Sequence, residues 1–273
     1  MDIKDIVLPA PDFSGSIPQQ YEQCLGPMFF EPYAIEIAER IDPAFARFVL
    51  EIASGTGRVT RHLRKVIPAA SRLVASDISQ DMLAVAKGKL KDLDIDWQVI
   101  DAQQLPFDDN SIDFVVCSFG YMFVPDKPKA FAETYRVLRP GGMLIFSAWD
   151  KLELNGTSNS YRKLVKKFLG NNLPESYNLP FSMHDHEANK EMLLAAGFSK
   201  VVVESVDKIS FSQTAKEAAN GLARGGSIYN EIMKHDPSLV EEIVATLEKE
   251  LGEKFGAAPM MAPMKAVICQ AWK

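Results

Sequence analysis

The sequence predicts an α/β fold in which a doubly wound, mainly parallel sheet is covered by helices on both faces. Apolar runs of strand length alternate with helical runs between residues 47 and 148, and this alternation is typical of successive βα units. The chain of 273 residues is long enough for one large domain of this kind, or for a core domain that carries a smaller cap.

The strands and helices of this core can be read in order along the chain. The helices between the strands are expected to end at Val66, to run from Ser79 to Leu90, and to run from Lys127 to Leu138. The strand runs are almost wholly apolar, which fits strands that are buried on both faces. The predicted strands are "RFVLEI" (47–52), "RLVAS" (72–76), "IDWQVI" (95–100), "IDFVVC" (112–117) and "GMLIFSA" (142–148).

The segment before the core differs from it in character. Residues 1–18 are rich in Pro and Gly and predict an irregular arm. The next stretch is aromatic and is broken by Gly26 and Pro27, and it becomes helical only after Pro32. We assign residues 1–46 to an N-terminal arm and helices that cover the site, and residues 47–149 to the core.

The segment after the core is predicted to combine a cap with the end of the sheet. Residues 150–186 are polar and Asn-rich, which fits an inserted cap, and a helix within residues 187–200 closes at Gly197. Two late strands, 201–212 and 265–272, are separated mainly by helix and suggest an edge pair, antiparallel in one arrangement. We assign residues 150–273 to a cap and acceptor region together with these C-terminal strands.

Composition narrows the classes of function. A net charge of -6 argues against binding to nucleic acid, which usually requires clustered Lys and Arg. Three scattered cysteines are too few for a disulfide framework or a zinc site and fit a reducing compartment. The chain has neither an apolar run of bilayer length nor a signal-peptide start. We therefore expect a cytoplasmic protein without a membrane partner and without a metal.

Functional residues are expected just after each core strand, because open α/β sheets bind ligands beyond the carboxyl ends of their strands. Gly55 and Gly57 lack Cβ atoms, so the turn after the first strand allows backbone to approach a ligand closely. Asp77 follows the second strand, where a carboxylate can accept hydrogen bonds from both hydroxyls of a ribose. Asp101 follows the third strand and could accept from an adenine amino group. Two separated acids favour a ligand with hydroxyls and a cation over one with several phosphates.

Four stretches, in this order, resemble the motifs of class I S-adenosylmethionine-dependent methyltransferases related to the ubiquinone and menaquinone biosynthesis enzymes. The resemblance implies a seven-stranded Rossmann-like sheet with an antiparallel final strand, S-adenosylmethionine as cofactor, and a small-molecule methyl acceptor. The stretches are "VLEIASGTG" (49–57), "VASDISQDML" (74–83), "VIDAQQLPFDDNSIDFVVCSF" (99–119) and "RVLRPGGMLIFSAW" (136–149).

The resemblance also implies which residues bind the cofactor. Aromatic residues before the core, chosen on position alone, are candidate walls of the site: Tyr21, Phe29 and Tyr33. Ala53 stands where the family often has glycine, a mild departure unless that position needs a positive φ. The implied binding residues at the strand ends are Glu51, Ala53, Ser54, Gly55, Thr56, Gly57, Asp77, Ile78, Met82, Asp101, Ala102, Gln103, Ser118 and Phe119.

Several of these residues have simpler roles open to them. Asp77 could cap the helix that follows it, although Ser79 is the better cap candidate. Asp101 could simply open a turn before Pro106. Cys117 is interpreted as a core thiol rather than a nucleophile.

No general base can be named from the sequence, and the candidates are Tyr121, His184 and His186. The two histidines lie in "MHDHE" (183–187), where a loop or helix start is favoured over a metal site because no third ligand is evident. The basic stretch "YRKLVKKFL" (161–169) is interpreted as a solvated helix face, with contact to an anionic acceptor as the alternative.

Two other functions remain open at this stage. An NAD-dependent oxidoreductase shares Gly55, Gly57 and Asp77, but the third glycine of its fingerprint is replaced by Thr60. A non-catalytic S-adenosylmethionine-binding protein would keep the same fold and the same donor site.

Overall fold

The computed structural model describes residues 17–170, 173–226 and 228–273. One seven-stranded sheet runs through it in the order β3-β2-β1-β4-β5-β7-β6. The predicted irregular arm lies outside the described residues except at 17–18, which are helical. The strands are β1 (Phe48–Glu51), β2 (Arg72–Asp77), β3 (Asp96–Val99), β4 (Ile112–Ser118), β5 (Leu138–Trp149), β6 (Lys200–Ser212) and β7 (Met260–Trp272).

The sheet has the predicted mixed topology. Strands β1 to β5 pair in parallel, whereas β7 is antiparallel to both of its neighbours, β5 and β6. The pairing of β6 with β7 is long, from Lys200 opposite Trp272 to Ser212 opposite Met260. The predicted antiparallel final strand is confirmed, and it begins five residues earlier than residue 265 because its first part continues this pairing.

Helices cover the sheet, and those of the core begin and end within two residues of the predicted positions. Ser79 caps α4 as predicted, since its Oγ accepts a hydrogen bond from the Met82 N–H at 3.3 Å. The helices are α1 (Ile17–Gln20), α2 (Glu31–Glu39), α3 (Arg58–Val66), α4 (Gln80–Lys89), α5 (Lys127–Val137), α6 (Gly156–Leu169), α7 (His186–Ala195), α8 (Ala215–Arg224), α9 (Ile228–His235) and α10 (Leu239–Phe255).

The segment before the core is helical earlier than predicted. A π-helical segment, Tyr21–Phe30, joins α1 to α2 and carries the chain through Gly26 and Pro27. The predicted break there was wrong. Pro27 has no N–H to donate in any helical turn, and the Glu22 carbonyl, five residues earlier, accepts from Arg58 Nη2 at 3.1 Å instead. Gly26 leaves room for the same guanidinium, since a Cβ there would lie 2.3 Å from the Arg58 Nη2 atom.

The core has a layer on each face of the sheet. Adjacent residues of β1 point to opposite sides: Val49 packs with Ile37 of α2 and Leu63 of α3, while Leu50 packs in the larger cluster that includes Phe131 of α5. Both β1 residues have an exposed fraction of 0%. This double covering explains why the strand sequences are apolar at successive positions, and it leaves the carboxyl edge of the sheet as the place for a ligand.

Candidate active site

A cavity of about 330 Å³ lies at the carboxyl edge of the sheet, where β1 and β4 are neighbours and strand order reverses. Its volume lies within the range of small-molecule sites. Residues from the ends of β1, β2, β4 and β5 line it, as do residues of the π-helical segment, α6 and α8. The cavity therefore occupies the position at which open α/β sheets bind ligands.

The turn after β1 forms the floor of the cavity. Gly55 has φ +55°, and a Cβ placed on it would meet nothing within 4 Å, so only the left-handed backbone and the ligand space restrict this position. Gly57 differs, because its Cβ would lie 2.9 Å from Leu90 Cδ1 and 3.2 Å from Ala86 Cβ. Gly57 does not line the cavity. Its lack of a side chain lets the turn pack against α4.

Ala53, which stands where the family often has glycine, has a left-handed backbone conformation. The replacement of glycine is therefore not the mild departure that it would be at a negative φ. The φ of Ala53 is +53°, and Phe119 across the cavity has φ +55°. Each costs roughly 1–2 kcal/mol in backbone strain. Gly120 lies against the same alanine, and a Cβ there would lie 2.4 Å from Ala53 Cβ. Strained residues of this kind concentrate at functional sites, and both residues line the cavity.

Asp77 is buried at the end of β2 and joins the turns that follow β1 and β2. Its Oδ2 accepts the Gly55 N–H at 2.8 Å, and its Oδ1 accepts the Ser79 N–H at 2.8 Å. Burial raises the pKa of Asp77, and the backbone N–H donors oppose that rise. Since a carboxylate offers about four lone-pair positions, Asp77 keeps acceptor capacity for groups in the cavity.

The turn after β3 places a second carboxylate at the cavity. Asp101 opens a turn, as the simpler interpretation expected, because its Oδ1 accepts the Gln103 N–H at 2.8 Å. It also lines the cavity together with Ala102 and Gln103. Ile78 has an exposed fraction of 64% and lines the same region. Asp101 therefore opens the turn and also lines the cavity, and its contact with an adenine stays a prediction.

Aromatic side chains form a further part of the cavity wall. Phe119 and Trp149 stack with ring centroids 4.2 Å apart, and Phe30 lies edge-on to Phe119 at 5.2 Å. Tyr21 stacks on Phe30 at 5.0 Å. These rings and Phe29 line the cavity, so the π-helical segment covers it with apolar surface.

Twelve of the implied cofactor residues line this cavity and five do not. Tyr33 stands behind the wall, packed edge-on against Phe119, with its hydroxyl donating to the Val206 carbonyl at 3.0 Å. Those in the lining are Tyr21, Phe29, Ala53, Gly55, Asp77, Ile78, Met82, Asp101, Ala102, Gln103, Ser118 and Phe119; those outside it are Glu51, Ser54, Thr56, Gly57 and Tyr33.

Two of the residues outside the lining, Ser54 and Thr56, have hydrogen-bond partners nearby, and a third, Glu51, is buried with its Oε2 atom unpartnered. Glu51 lies buried beneath the turn, and burial raises its pKa to about 8. Ser54 donates its N–H to the Ser76 carbonyl at 2.8 Å. Thr56 donates its hydroxyl to Glu22 Oε2 at 2.6 Å. The hydrogen bonds of Ser54 and Thr56 therefore tie the turn after β1 to β2 and to the π-helical segment.

The three candidate bases do not line the cavity. Tyr121 is fully buried, and its hydroxyl pairs with Thr134 Oγ1 at 2.7 Å. His184 Nδ1 lies 2.8 Å from the Phe181 carbonyl oxygen, and His186 Nε2 lies 3.0 Å from Ser205 Oγ on β6. The structure therefore does not bring any of them to the place where a methyl acceptor would bind.

The cavity also contains residues that the sequence did not single out. Arg162 and Tyr161 reach it from α6, and both are buried. The only signal was the mixed basic and apolar stretch 161–169, whose default interpretation as a solvated face is wrong for these two positions. Others complete the wall, from α6, the 3₁₀ turn after it, the end of α8 and the start of α9: Ser158, Phe181, Leu222, Gly225 and Ile228.

Ion pairs hold the π-helical segment over the site. Glu22 Oε1 pairs with Arg58 Nη2 at 2.6 Å and with Lys89 Nζ at 2.5 Å. Glu31 pairs with Arg58 Nη1 at 2.7 Å and also contacts Arg61. The positive partners stand on α3 and α4, which follow the two strands whose turns form the floor of the cavity. The covering segment is therefore fastened to the core next to the candidate donor site.

Within residues 17–170, 173–226 and 228–273, no group of three or more His, Cys, Asp or Glu side chains is arranged to hold a metal ion. In the same part of the chain, no helix combines the length and the apolar character needed to cross a bilayer. The candidate site is thus described entirely by its protein side chains and backbone.

Known proteins resemble the chain both in sequence and in fold. A family model described as a methyltransferase domain matches residues 50–146. The ubiquinone/menaquinone biosynthesis C-methyltransferase UbiE of Idiomarina loihiensis is 36% identical over 167 residues, which is 56% of this chain and 66% of that protein. The demethylmenaquinone methyltransferase of Oceanobacillus iheyensis is 31% identical over 180 residues, which is 61% of this chain and 76% of that protein. The similarity therefore spans about two thirds or more of each relative.

Two solved structures share the fold. The YcgJ protein of Bacillus subtilis superposes with a TM-score of 0.59 at 17% identity, covering 89% of this chain and 98% of that one. The phosphoethanolamine N-methyltransferase 2 of Haemonchus contortus, solved with S-adenosylhomocysteine, gives 0.59 at 20% identity, covering 94% of this chain and 56% of that one. The glycine turn alone left open whether the cofactor is a methyl donor or a nicotinamide dinucleotide. The sequence relatives, which are methyltransferases, decide for the methyl donor. The chain therefore belongs to the class I S-adenosylmethionine-dependent methyltransferases, enzymes that transfer a methyl group from S-adenosylmethionine, in the group related to the ubiquinone/menaquinone biosynthesis C-methyltransferases.

Proposed function

We propose that this chain methylates a planar, largely apolar small molecule, with the donor at the carboxylate end of the cavity and the acceptor at the aromatic end. The observation that carries the proposal is that one cavity includes both Asp77 and Asp101 from the strand ends and the rings of Phe119 and Trp149. Donor and acceptor can meet only if their sites are continuous, and this cavity supplies that continuity.

The residues present fit an adenosyl donor. Asp77 has lone pairs left for ribose hydroxyls after accepting the backbone N–H groups of Gly55 and Ser79. Asp101 and the N–H of Ala102 suit an adenine edge, and Ile78 leaves apolar surface for the face of that ring. The open space at Gly55 accommodates the amino acid portion, because any side chain at that position would enter it.

The side chains around the acceptor act by alignment and by exclusion of water. S-adenosylmethionine supplies a methyl group already activated by a sulfonium charge. The aromatic wall keeps the reacting atoms dry and presents ring faces, which attract cations. Holding two reactants in line supplies several kcal/mol of the barrier reduction, roughly 7–11 in well-oriented systems.

The cavity lining offers little that could serve as a strong base. Its titratable side chains, apart from the two aspartates of the donor end, are Tyr21, Cys117, Tyr161 and Arg162. Burial raises the pKa of Tyr21 and of Cys117, so both stay protonated near neutral pH. We infer that the acceptor is either already anionic or acidic enough to lose its proton to water.

The names of the relatives support an aromatic acceptor. Both are named for quinone methylation, and a quinol ring matches the flat aromatic wall made by Phe119 and Trp149. For this chain we propose an aromatic ring in the acceptor but not a particular quinone, because the proposed acceptor region lies largely outside the matched methyltransferase domain, residues 50–146.

Two measurements test the proposal. Calorimetric titration should show binding of S-adenosylhomocysteine and no binding of NADH. Incubation with S-adenosylmethionine and a panel of hydroquinones, phenols and aromatic amines should release S-adenosylhomocysteine with at least one acceptor. Tight donor binding without turnover on the whole panel would instead favour a non-catalytic binding protein, and binding of NADH alone would contradict the site assignment.

A further inference from the structure

Arg162 is a buried cation in the wall of an otherwise mostly apolar cavity. It lies on α6, lines the cavity, and has an exposed fraction of only 6%. Among the side chains that the structure describes, no carboxylate forms an ion pair with it. An isolated charge in such a place costs several kcal/mol unless something pairs with it.

The hydrogen bonds of Arg162 leave much of its guanidinium unused. Nη2 donates to the carbonyl of Tyr177 and to Asn178 Oδ1 at 3.1 Å. The guanidinium carbon lies 3.6 Å from the centre of the Tyr177 ring, which fixes the orientation of the group. Nε is buried without any partner, and Nη1 makes no hydrogen bond among the described residues. A guanidinium has five N–H donors, so the three on Nε and Nη1 have no partner among the described residues, and of these two atoms Nη1 is the one that is not fully buried.

A second buried donor stands beside it in the sequence. Tyr161 also lines the cavity with an exposed fraction of 7%, and its hydroxyl has no hydrogen-bond partner. Burial raises the pKa of Tyr161, so the hydroxyl remains protonated and can donate. Two unpartnered donors in one cavity are unusual for a folded protein, because buried polar groups are nearly always paired. A ligand that accepts from both would explain them.

We propose that the methyl acceptor is an aromatic molecule bearing a single carboxylate, which pairs with Arg162 and accepts the Tyr161 hydroxyl. This inference rests on the proposed function and names the substrate class for the same cavity. One guanidinium balances one negative charge, so a carboxylate is matched. A dianionic phosphate would leave one charge unpaired against the rings of Phe181 and Trp149.

The test begins with the wild-type protein saturated with S-adenosylhomocysteine. Calorimetry measures the binding of 2-naphthoate, its uncharged analogue 2-naphthamide, and 2-naphthyl phosphate. We expect the carboxylate to bind at least about tenfold more tightly than the amide, a difference of about 1.4 kcal/mol, and more tightly than the phosphate. Equal binding of acid and amide, binding of neither, or preference for the phosphate overturns the proposal.

Variants then assign the preference to the named residues. Arg162→Met should abolish the preference for the acid over the amide, and Tyr161→Phe should reduce it severalfold. Lys166→Met is the matched control, since Lys166 is exposed on the same helix and its removal also deletes one positive charge. A preference that survives in Arg162→Met, or that is lost equally in Lys166→Met, contradicts the assignment. Arg162→Lys, which keeps the charge, should retain part of the preference.

The proposed methyl transfer and the proposed carboxylate binding are contradicted by different results. If S-adenosylhomocysteine does not bind, the proposed function fails before any acid is tested. If it binds with unchanged affinity in all variants and the acid preference is absent, the methyltransferase assignment stands and only the carboxylate proposal is overturned. Binding of S-adenosylhomocysteine also reports whether each variant has folded.

Discussion

The backbone N–H of Gly55 donates to Asp77 Oδ2 at 2.8 Å, so the carboxylate at the end of β2 holds the turn that ends β1. One side chain thereby fixes the relative position of two cavity walls. Asp77 therefore combines a structural role with its proposed role in ribose binding.

Asp77→Ala should weaken S-adenosylhomocysteine binding by a few kcal/mol, because ribose hydroxyls lose a charged acceptor worth about 1.5–3 kcal/mol per hydrogen bond. Calorimetry checks this, and thermal unfolding separates it from the loss of the bond to Gly55. Asp92→Ala, which removes an exposed carboxylate before β3, is the control and should leave affinity unchanged. Unchanged affinity in Asp77→Ala would contradict the ribose assignment.

Gly120→Ala should lower the free energy of unfolding by about 1–3 kcal/mol, because the new Cβ overpacks a tight contact. That Cβ would lie 2.4 Å from Ala53 Cβ and 2.7 Å from Cys117 Sγ. Ala53→Gly removes the first of these contacts and also relieves the left-handed strain at φ +53°. In a double-mutant cycle measured by urea unfolding, Ala53→Gly should therefore recover part of the unfolding free energy that Gly120→Ala loses. Strict additivity would show that the two residues are not in contact.

Glu51 should make stability fall as pH rises. Burial raises its pKa to about 8 in the folded protein, whereas an unfolded Glu titrates near about 4.3. Between these values the folded state holds a proton that the unfolded state has released. The stabilisation is thus complete below about pH 4.3 and is lost as pH rises toward 8.

The matching variant is Glu51→Gln, which cannot ionise. The unfolding free energy of the wild type, measured in urea at pH 5 and pH 8, should drop by up to a few kcal/mol more than that of the variant. Parallel pH dependence in the two proteins would show that Glu51 is not held protonated. The same measurement on Glu253→Gln, an exposed carboxylate on α10, supplies the control.

Glu22→Gln should loosen the segment that covers the cavity. The change leaves Arg58 and Lys89 without their shared carboxylate, and a partly buried cation that loses its partner costs a few kcal/mol, roughly 3–5 at full burial. Hydrogen exchange of residues 21–30 should accelerate. Glu241→Gln breaks an exposed pair with Arg224 and should cost about 1 kcal/mol or less. Equal effects in both variants would mean that the Glu22 pairs do not fasten the segment.

Much of the core could be predicted because local patterns determine it. The strands from Phe48 to Trp149 are apolar in successive positions, since helices cover both faces, and each one is followed by a turn whose residues point to the same edge. Sequence order alone therefore placed Gly55, Asp77 and Asp101 near one another. Ser79 as a helix cap is equally local, depending on one hydroxyl and the N–H three residues later.

The acceptor side could not be predicted in the same way. Arg162 and Lys166 occupy one basic stretch and look alike in sequence, yet the first is buried and the second exposed. Arg162 is buried because the segment 177–181 packs on its side chain: the guanidinium carbon lies 3.6 Å from the centre of the Tyr177 ring, and Nη2 donates to Asn178 Oδ1 at 3.1 Å. Likewise, nothing near Pro27 signals that π-helical turns would carry the chain across the cavity.

The sequence by itself determined the wound sheet, the donor edge and the methyltransferase family, because these depend on periodicity and on short motifs with fixed spacing. Only the tertiary structure decided which aromatic side chains line the cavity, that Glu51 and Gly57 lie beside it rather than in it, and that Arg162 reaches it unpaired. Burial and hydrogen bonding are set by the partners that folding brings together from distant positions, and no local pattern encodes those partners.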